Sequence, residues 1–208
     1  MPSGRTHDEI TLWSLPLVAG GTYAQTRSSS LTLIVAGGFL FSGLMFGPDL
    51  DIYSQQFQRW GWLRWIWLPY QQSLHHRSFL SHGPLVGTAL RILYLGIWIG
   101  AIAFGVVLVG DYLGLFTWNP PLASAAIART VKQHPMEGIA LFLGLELGAM
   151  SHSLSDWIGS AYKRFKKYGW SAIFNPSKKP RTPAKKRIKR HTSSGTPRPQ
   201  KASTKRKS

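Results

Sequence analysis

The sequence predicts an all-α protein: a four-helix, up-down membrane bundle with its histidines and aspartates gathered at one end, followed by a disordered basic C-terminal tail. Three observations predict it. Two long runs carry no charge, Ser28 to Gly47 and Ile92 to Gly110. The histidines and aspartates cluster at the boundaries of apolar segments. The charge is segregated: 17 of the 25 Lys and Arg residues lie from Lys163 onward, where there is no acid, and residues 1–162 carry eight basic and eight acidic groups. The net charge of +17 therefore belongs to the tail, and the pI says little about the folded part.

Taken in order, residues 8–24 follow Thr6, a residue suited to cap a helix, and place Asp8 and Glu9 in a first turn where the helix dipole favours acids. Apolar residues recur at Ile10, Leu12, Trp13, Leu15 and Leu17, with Pro16 expected to kink the helix. The same two acids stand where a signal peptide is basic, so no cleaved leader is expected. Leu31 to Phe46 is near the length that spans a bilayer, and Gly37, Gly38, Ser42 and Gly43 suit close helix packing. A buried helix of a soluble protein is the competing reading, disfavoured by 20 uncharged residues in a row. Pro48-Asp49-Leu50-Asp51 ends the run. Residues 52–74 mix Trp60, Trp62, Trp65, Trp67 and Tyr70 with Arg59 and Arg64, as at a membrane interface. Stacking on nucleic-acid bases is the alternative use of such residues, but long apolar spans flank them here.

Gly83-Pro84 opens a third helix whose core, Ile92 to Gly110, is the strongest candidate span. Residues 111–137 read as a loop broken at Asn119-Pro120-Pro121, with one short helix over Leu122 to Lys132. The fourth helix runs from Gly138 to about Lys163, apolar except for Glu146 until it turns polar at Ser151. A carboxylate at that depth needs either an interhelix partner or a role. Beyond Asn175-Pro176 the chain is Lys, Arg, Pro, Ser and Thr, a composition that cannot build a core. Two regions result: a helical membrane domain over 1–170 and a Lys/Arg-rich tail over 171–208.

In an up-down bundle the first helix starts near His7 and the second ends at Asp49 and Asp51. The third begins just after His76 and His82, and the fourth brings His152 and Asp156 back to the same end. His152 and Asp156 are i and i+4, on one helix face. Asp49 and Asp51 are i and i+2, which in extended chain point the same way. His75 is a neighbour of the cluster; His134 lies in the opposite loop and His191 in the tail, and neither is expected to take part. There is no cysteine, which excludes disulfides and thiolate ligands. Imidazoles with carboxylates suit a divalent transition metal, zinc first and manganese or iron next, as one ion or as two sharing carboxylates. Arg77 is placed to hold a phosphate or carboxylate beside the metal, and a carboxylate such as Asp51, if free of metal, could serve as general base.

Thr-His near the N-terminus, Pro-Asp-Leu-Asp after an apolar helix, His-Arg-Ser-x-x-Ser-His before another and Ser-His-x-x-x-Asp on a late helix resemble a family of uncharacterised bacterial metal-binding membrane proteins. Through it the chain resembles the membrane-bound metal-dependent hydrolases of the LexA-binding inner-membrane type. The resemblance covers roughly residues 1–170. It implies metal contact from His7, Asp49, His76, His82, His152 and Asp156, with Asp51 as a further candidate. The hydrolase type has Leu-Asp in the last motif where this chain has Ser155-Asp156, a change that leaves the ligand pattern intact.

The expected function is that of an integral membrane metal-binding protein, a hydrolase of a phosphoester or lipid-like substrate. Its alternatives are a non-enzymatic protein with a structural or sensing metal, and a membrane anchor whose tail binds nucleic acid or anionic lipid. Arg5, Arg59, Arg64, Arg77, Arg91 and the basic tail at the histidine end, against Arg27, Arg129 and Lys132 at the other, predict that site and tail face the cytoplasm from a plasma or inner membrane.

Overall fold

The computed structural model describes residues 4–76, 78–115 and 117–169. Arg77 and the tail from residue 171 lie outside the described residues. Among the described residues there is no strand. The helices are α1 (Gly4–Thr26), α2 (Ser29–Leu44), α3 (Gln55–Gln58), α4 (Leu68–Ser73), α5 (Phe79–His82), α6 (Val86–Tyr112), α7 (Pro120–Gln133) and α8 (Pro135–Tyr168). Two 3₁₀ segments, Pro48–Asp51 and Gly61–Trp67, lie between α2 and α4.

α1 starts ahead of Thr6, so that residue lies inside the first turn and does not cap it, and the helix runs through Pro16. It ends at Arg27, whose positive φ of 53° reverses the chain. Ser28 then caps α2 by accepting the Leu31 N–H at 3.3 Å. This two-residue link lays α1 and α2 side by side. α8 packs along both, most extensively against α2.

Small residues explain the closeness of α2 and α8. A Cβ added at Gly144 would stand 2.4 Å from the Val35 carbonyl oxygen, and one at Gly148 would stand 2.5 Å from that of Phe39. Gly38 meets the backbone of α8, and Gly43 meets the Thr11 side chain of α1, while Gly37 faces open space. The glycine-rich run of α2 thus serves two contacts, with one of its glycines left over.

The expected four-helix bundle is only partly formed: three of its helices close, and the fourth does not join along its length. α6 meets α5 and an aromatic cluster through its first half. In that cluster Trp67 is fully buried among Phe46, Trp60, Tyr70 and Tyr94. Trp60 donates its indole N–H to the Met45 carbonyl at 2.9 Å. Among this segment's tryptophans Trp62 and Trp65 are exposed, while Trp60 and Trp67, also expected at an interface, pack into a core. Past Trp98, α6 shows apolar side chains on all sides, including Ile99, Ile102, Phe104, Val106 and Val109. Two stretches, Ser29–Asp51 and Val86–Tyr112, are long and apolar enough to cross a membrane. α7 buries no residue.

Arg91, counted from sequence among the surface charges, is 1% exposed. It donates to the Ser81 carbonyl and to Thr88 Oγ1, both at 2.9 Å, and so fastens α5 to α6.

Gly144→Ala should destabilise the fold by about 3 kcal/mol, because overpacking against backbone has no side chain to move. Thermal unfolding in detergent should show a midpoint lowered by roughly 5 °C or more. Gly100→Ala, with nothing within 4 Å of the added carbon, should leave the midpoint unchanged or raise it.

Candidate metal centre

Five stretches of chain supply the site, each held by its own local chemistry. Pro48 begins the 3₁₀ turn that carries both aspartates, with the side chain of Leu50 between them fully buried. Gln71 Nε2 donates to the Leu50 carbonyl at 3.1 Å and the Ile52 carbonyl at 2.9 Å, and Ser54 Oγ donates to the Asp49 carbonyl at 2.8 Å. The turn is thereby clamped from both sides. The turn is 3₁₀ and not extended; from it Asp49 reaches His152 and Asp51 reaches His76, and both carboxylates come within 3.7 Å of the His82 ring. His76 precedes α5, and His82 ends it. Ser78 caps α5 by accepting the Ser81 N–H at 3.3 Å. His7 sits in the second turn of α1, and His152, Ser155 and Asp156 share one buried face of α8.

The structure brings all six predicted ligands together. His7 Nε2 lies 3.4 Å from Asp156 Oδ1, and the His7 and His152 rings stack at 3.9 Å between centroids. His152 Nε2 lies 3.1 Å from Asp49 Oδ2, and His82 Nε2 lies 3.7 Å from Asp49 Oδ1. His76 Nδ1 lies 2.9 Å from Asp51 Oδ1. Two groups emerge, one of His7, His152 and Asp156 and one of Asp49, His76 and His82; in each, one ligand atom per residue lies within 4.8 Å of the others. His75 is exposed beside them. His134, at the far end, pairs with Glu137 at 3.3 Å.

The outer partners set the imidazole tautomers. Ser155 Oγ donates its one hydrogen to the His152 carbonyl at 2.8 Å, so toward His7 Nδ1, 2.6 Å away, it accepts. That arrangement favours the His7 tautomer protonated on Nδ1, with the Nε2 lone pair left for a metal. Asp51, its side chain fully buried, accepts from His76 Nδ1 with the same result. Ser81 Oγ, 2.8 Å from His82 Nδ1, plays that part for His82. Burial, with the neighbouring His152 ring, holds the His7 imidazole below its ordinary value of 6.5, so it is neutral near pH 7 despite Asp156 and Asp49. Ser81 and Ser155 fall within the motifs read from sequence, where neither is given a role; a serine beside or three residues after a candidate histidine is the available signal, and it is common in helices for other reasons.

A divalent ion fits these residues. Asp49 Oδ1, His76 Nε2, His82 Nε2 and both ring nitrogens of His152 are buried without a hydrogen-bond partner. Several polar atoms left this way in one place are costly unless something coordinates them. All the donors are nitrogen or oxygen, and three imidazoles have their second nitrogen held as metal-ligating histidines do. His7, Asp49, His152 and Asp156 also line a cavity of about 200 Å³, closed on its other sides by Gly4, Gln55 and Gln56. Asp8, also on its wall, pairs with Arg59.

Glu146, 5% exposed, accepts the Leu85 N–H at 3.0 Å. Leu85 has φ of 62°, so the carboxylate steadies a strained entry to α6. The interhelix partner that a buried Glu requires is therefore this backbone group.

The chain belongs to the family described as uncharacterized metal-binding protein (DUF2227), whose model matches residues 2–166. It is also similar to an uncharacterized protein of Aquifex aeolicus (strain VF5), 31% identical over 134 residues, covering 62% of this chain and 91% of the relative. No solved structure matches it.

Ser155→Ala should lower divalent-metal affinity by roughly 10–100-fold while leaving helical content intact, as measured by competition with a chelating dye. Unchanged affinity would reduce the Ser155–His7 contact to packing.

Proposed function

We propose that the protein is an integral membrane, metal-dependent hydrolase acting on a phosphoester or lipid-like substrate, with His7, Asp49, His76, His82, His152 and Asp156 as its metal ligands. The observation that carries this reading is the cavity: four of those residues line a space large enough for a small polar group. Structural metal sites have closed shells, whereas catalytic ones keep a position open. A bound zinc, manganese or iron ion would supply Lewis acidity toward an ester or phosphoryl oxygen and toward water. The chain's own contribution is to fix imidazoles with Nε2 inward and to screen one side of the site from solvent. Asp51, considered from sequence as a general base, is better suited to orienting His76, since its carboxylate is buried and already accepts a hydrogen bond. Arg77, which follows His76 in the sequence, is retained as the candidate holder of an anionic group.

The bilayer reading is supported by α6. Its second half exposes an apolar surface around the whole helix, a feature that soluble surfaces avoid and lipid accepts. Arg5, Arg59 and Arg64 remain at the site end once buried Arg91 is discounted. Together with the basic residues after α8 they favour a cytoplasmic site. The tail's charge suits anionic lipid or nucleic acid equally.

Purified protein loaded with zinc or manganese should hydrolyse a chromogenic phosphodiester or a phospholipid, and His152→Ala or chelation should reduce the rate at least 100-fold. Metal-loaded protein inert toward phosphoesters and carboxylic esters alike would favour a structural or sensing metal. Separately, the protein should stay with membranes through alkaline carbonate extraction; release into the supernatant would overturn the membrane assignment.

A further inference from the structure

We propose that the site holds two metal ions and that Asp49 bridges them. The proposal rests on the metal-binding reading above and goes past it to the number of ions and the residue that joins them.

The two ligand groups come from different parts of the fold. His7, His152 and Asp156 belong to α1 and α8; His76 and His82 belong to the segment around α5. Asp49 stands between. Its Oδ2 is 3.1 Å from His152 Nε2, and its Oδ1 is 3.7 Å from His82 Nε2. One carboxylate therefore offers a separate oxygen to each group. This is what a bridging carboxylate requires, and it is not how a carboxylate serving one ion with both oxygens would sit.

Donor numbers point the same way. Four imidazoles and two carboxylates are too many for one tetrahedral ion. One six-coordinate ion taking them all would close its shell, leaving the cavity beside His7 and Asp156 with no coordination position to face. A single ion in the first group would leave His76 Nε2, His82 Nε2 and Asp49 Oδ1 buried without partners, the costly condition already noted. A single ion in the second would leave His152, a residue 4% exposed, without a metal on either ring nitrogen. Two ions satisfy both groups at once. Charge agrees as well: the three carboxylates Asp49, Asp51 and Asp156 overbalance one dication, but two dications leave a net positive site, which suits an anionic substrate oxygen.

Metal content per chain decides the proposal, measured by mass spectrometry on full-length protein loaded in detergent with zinc and, in parallel, manganese, then desalted. Two ions per chain are expected. His82→Ala should retain one ion and His7→Ala the other. Asp49→Asn, which keeps the side chain's shape, should weaken both binding events at least tenfold in a competition titration, with circular dichroism checking that the helices persist. One ion per wild-type chain would overturn the two-ion proposal while leaving the metal-binding reading intact. No ion would overturn both. Two ions with only one weakened by Asp49→Asn would remove the bridge.

Discussion

Buried nitrogen and oxygen donors must be satisfied, and the structure depends on how that requirement is met around Asp49. Its carboxylate lies 3.1 Å from His152 Nε2 and 3.7 Å from His82 Nε2. Several of the polar atoms around it are buried without a well-formed hydrogen bond, a condition that costs stability unless something coordinates them. A cation converts the same arrangement from a liability into an attraction between α1, α8, the 3₁₀ turn and the α5 segment. Metal binding and folding are then linked, since the ligands are gathered only when the helices have packed.

The remaining architecture serves to hold those elements in place. Glycines at 144 and 148 let α8 approach α2 closely enough for His152 to reach the turn that follows α2. The turn itself is fixed by Gln71 and Ser54, and the buried Trp67 cluster supports it from beneath. Arg91 fastens α5, and with it His82, to the base of α6. None of these side chains needs to touch a metal, yet each sets the position of a candidate ligand. Positioning errors of an ångström matter at such a site. Substitutions in the glycine seam, by shifting α8, should therefore be felt in metal affinity as well as in stability.

Much of this was legible in the residues. Uncharged runs marked α2 and α6, because a long stretch without charge has few alternatives to burial or lipid. The i, i+4 spacing of His152 and Asp156 placed both on one face. The up-down order gathered the histidines without knowledge of any distance. What escaped was tertiary. The pattern Pro-Asp-Leu-Asp does not distinguish extended chain from a 3₁₀ turn, so the sharing of His82 by Asp49 and Asp51, with His152 on one and His76 on the other, was hidden. Trp60 and Trp67 looked like interface residues because composition cannot say which tryptophans a core will take. Arg91 counted as a surface charge until its hydrogen bonds to Ser81 and Thr88 were seen. The departure of α6 from the bundle depends on what it packs against, and its sequence, apolar on every face, carries no stripe to point it inward.

Anomalous scattering from crystals of the metal-loaded protein, collected on both sides of the metal's absorption edge, tests the central claim most directly. The account predicts two strong peaks, one on each side of the Asp49 carboxylate, one beside His7, His152 and Asp156 and the other beside His76 and His82. A single peak bound by all six residues, or peaks elsewhere with these side chains hydrogen-bonded only to one another, would contradict it.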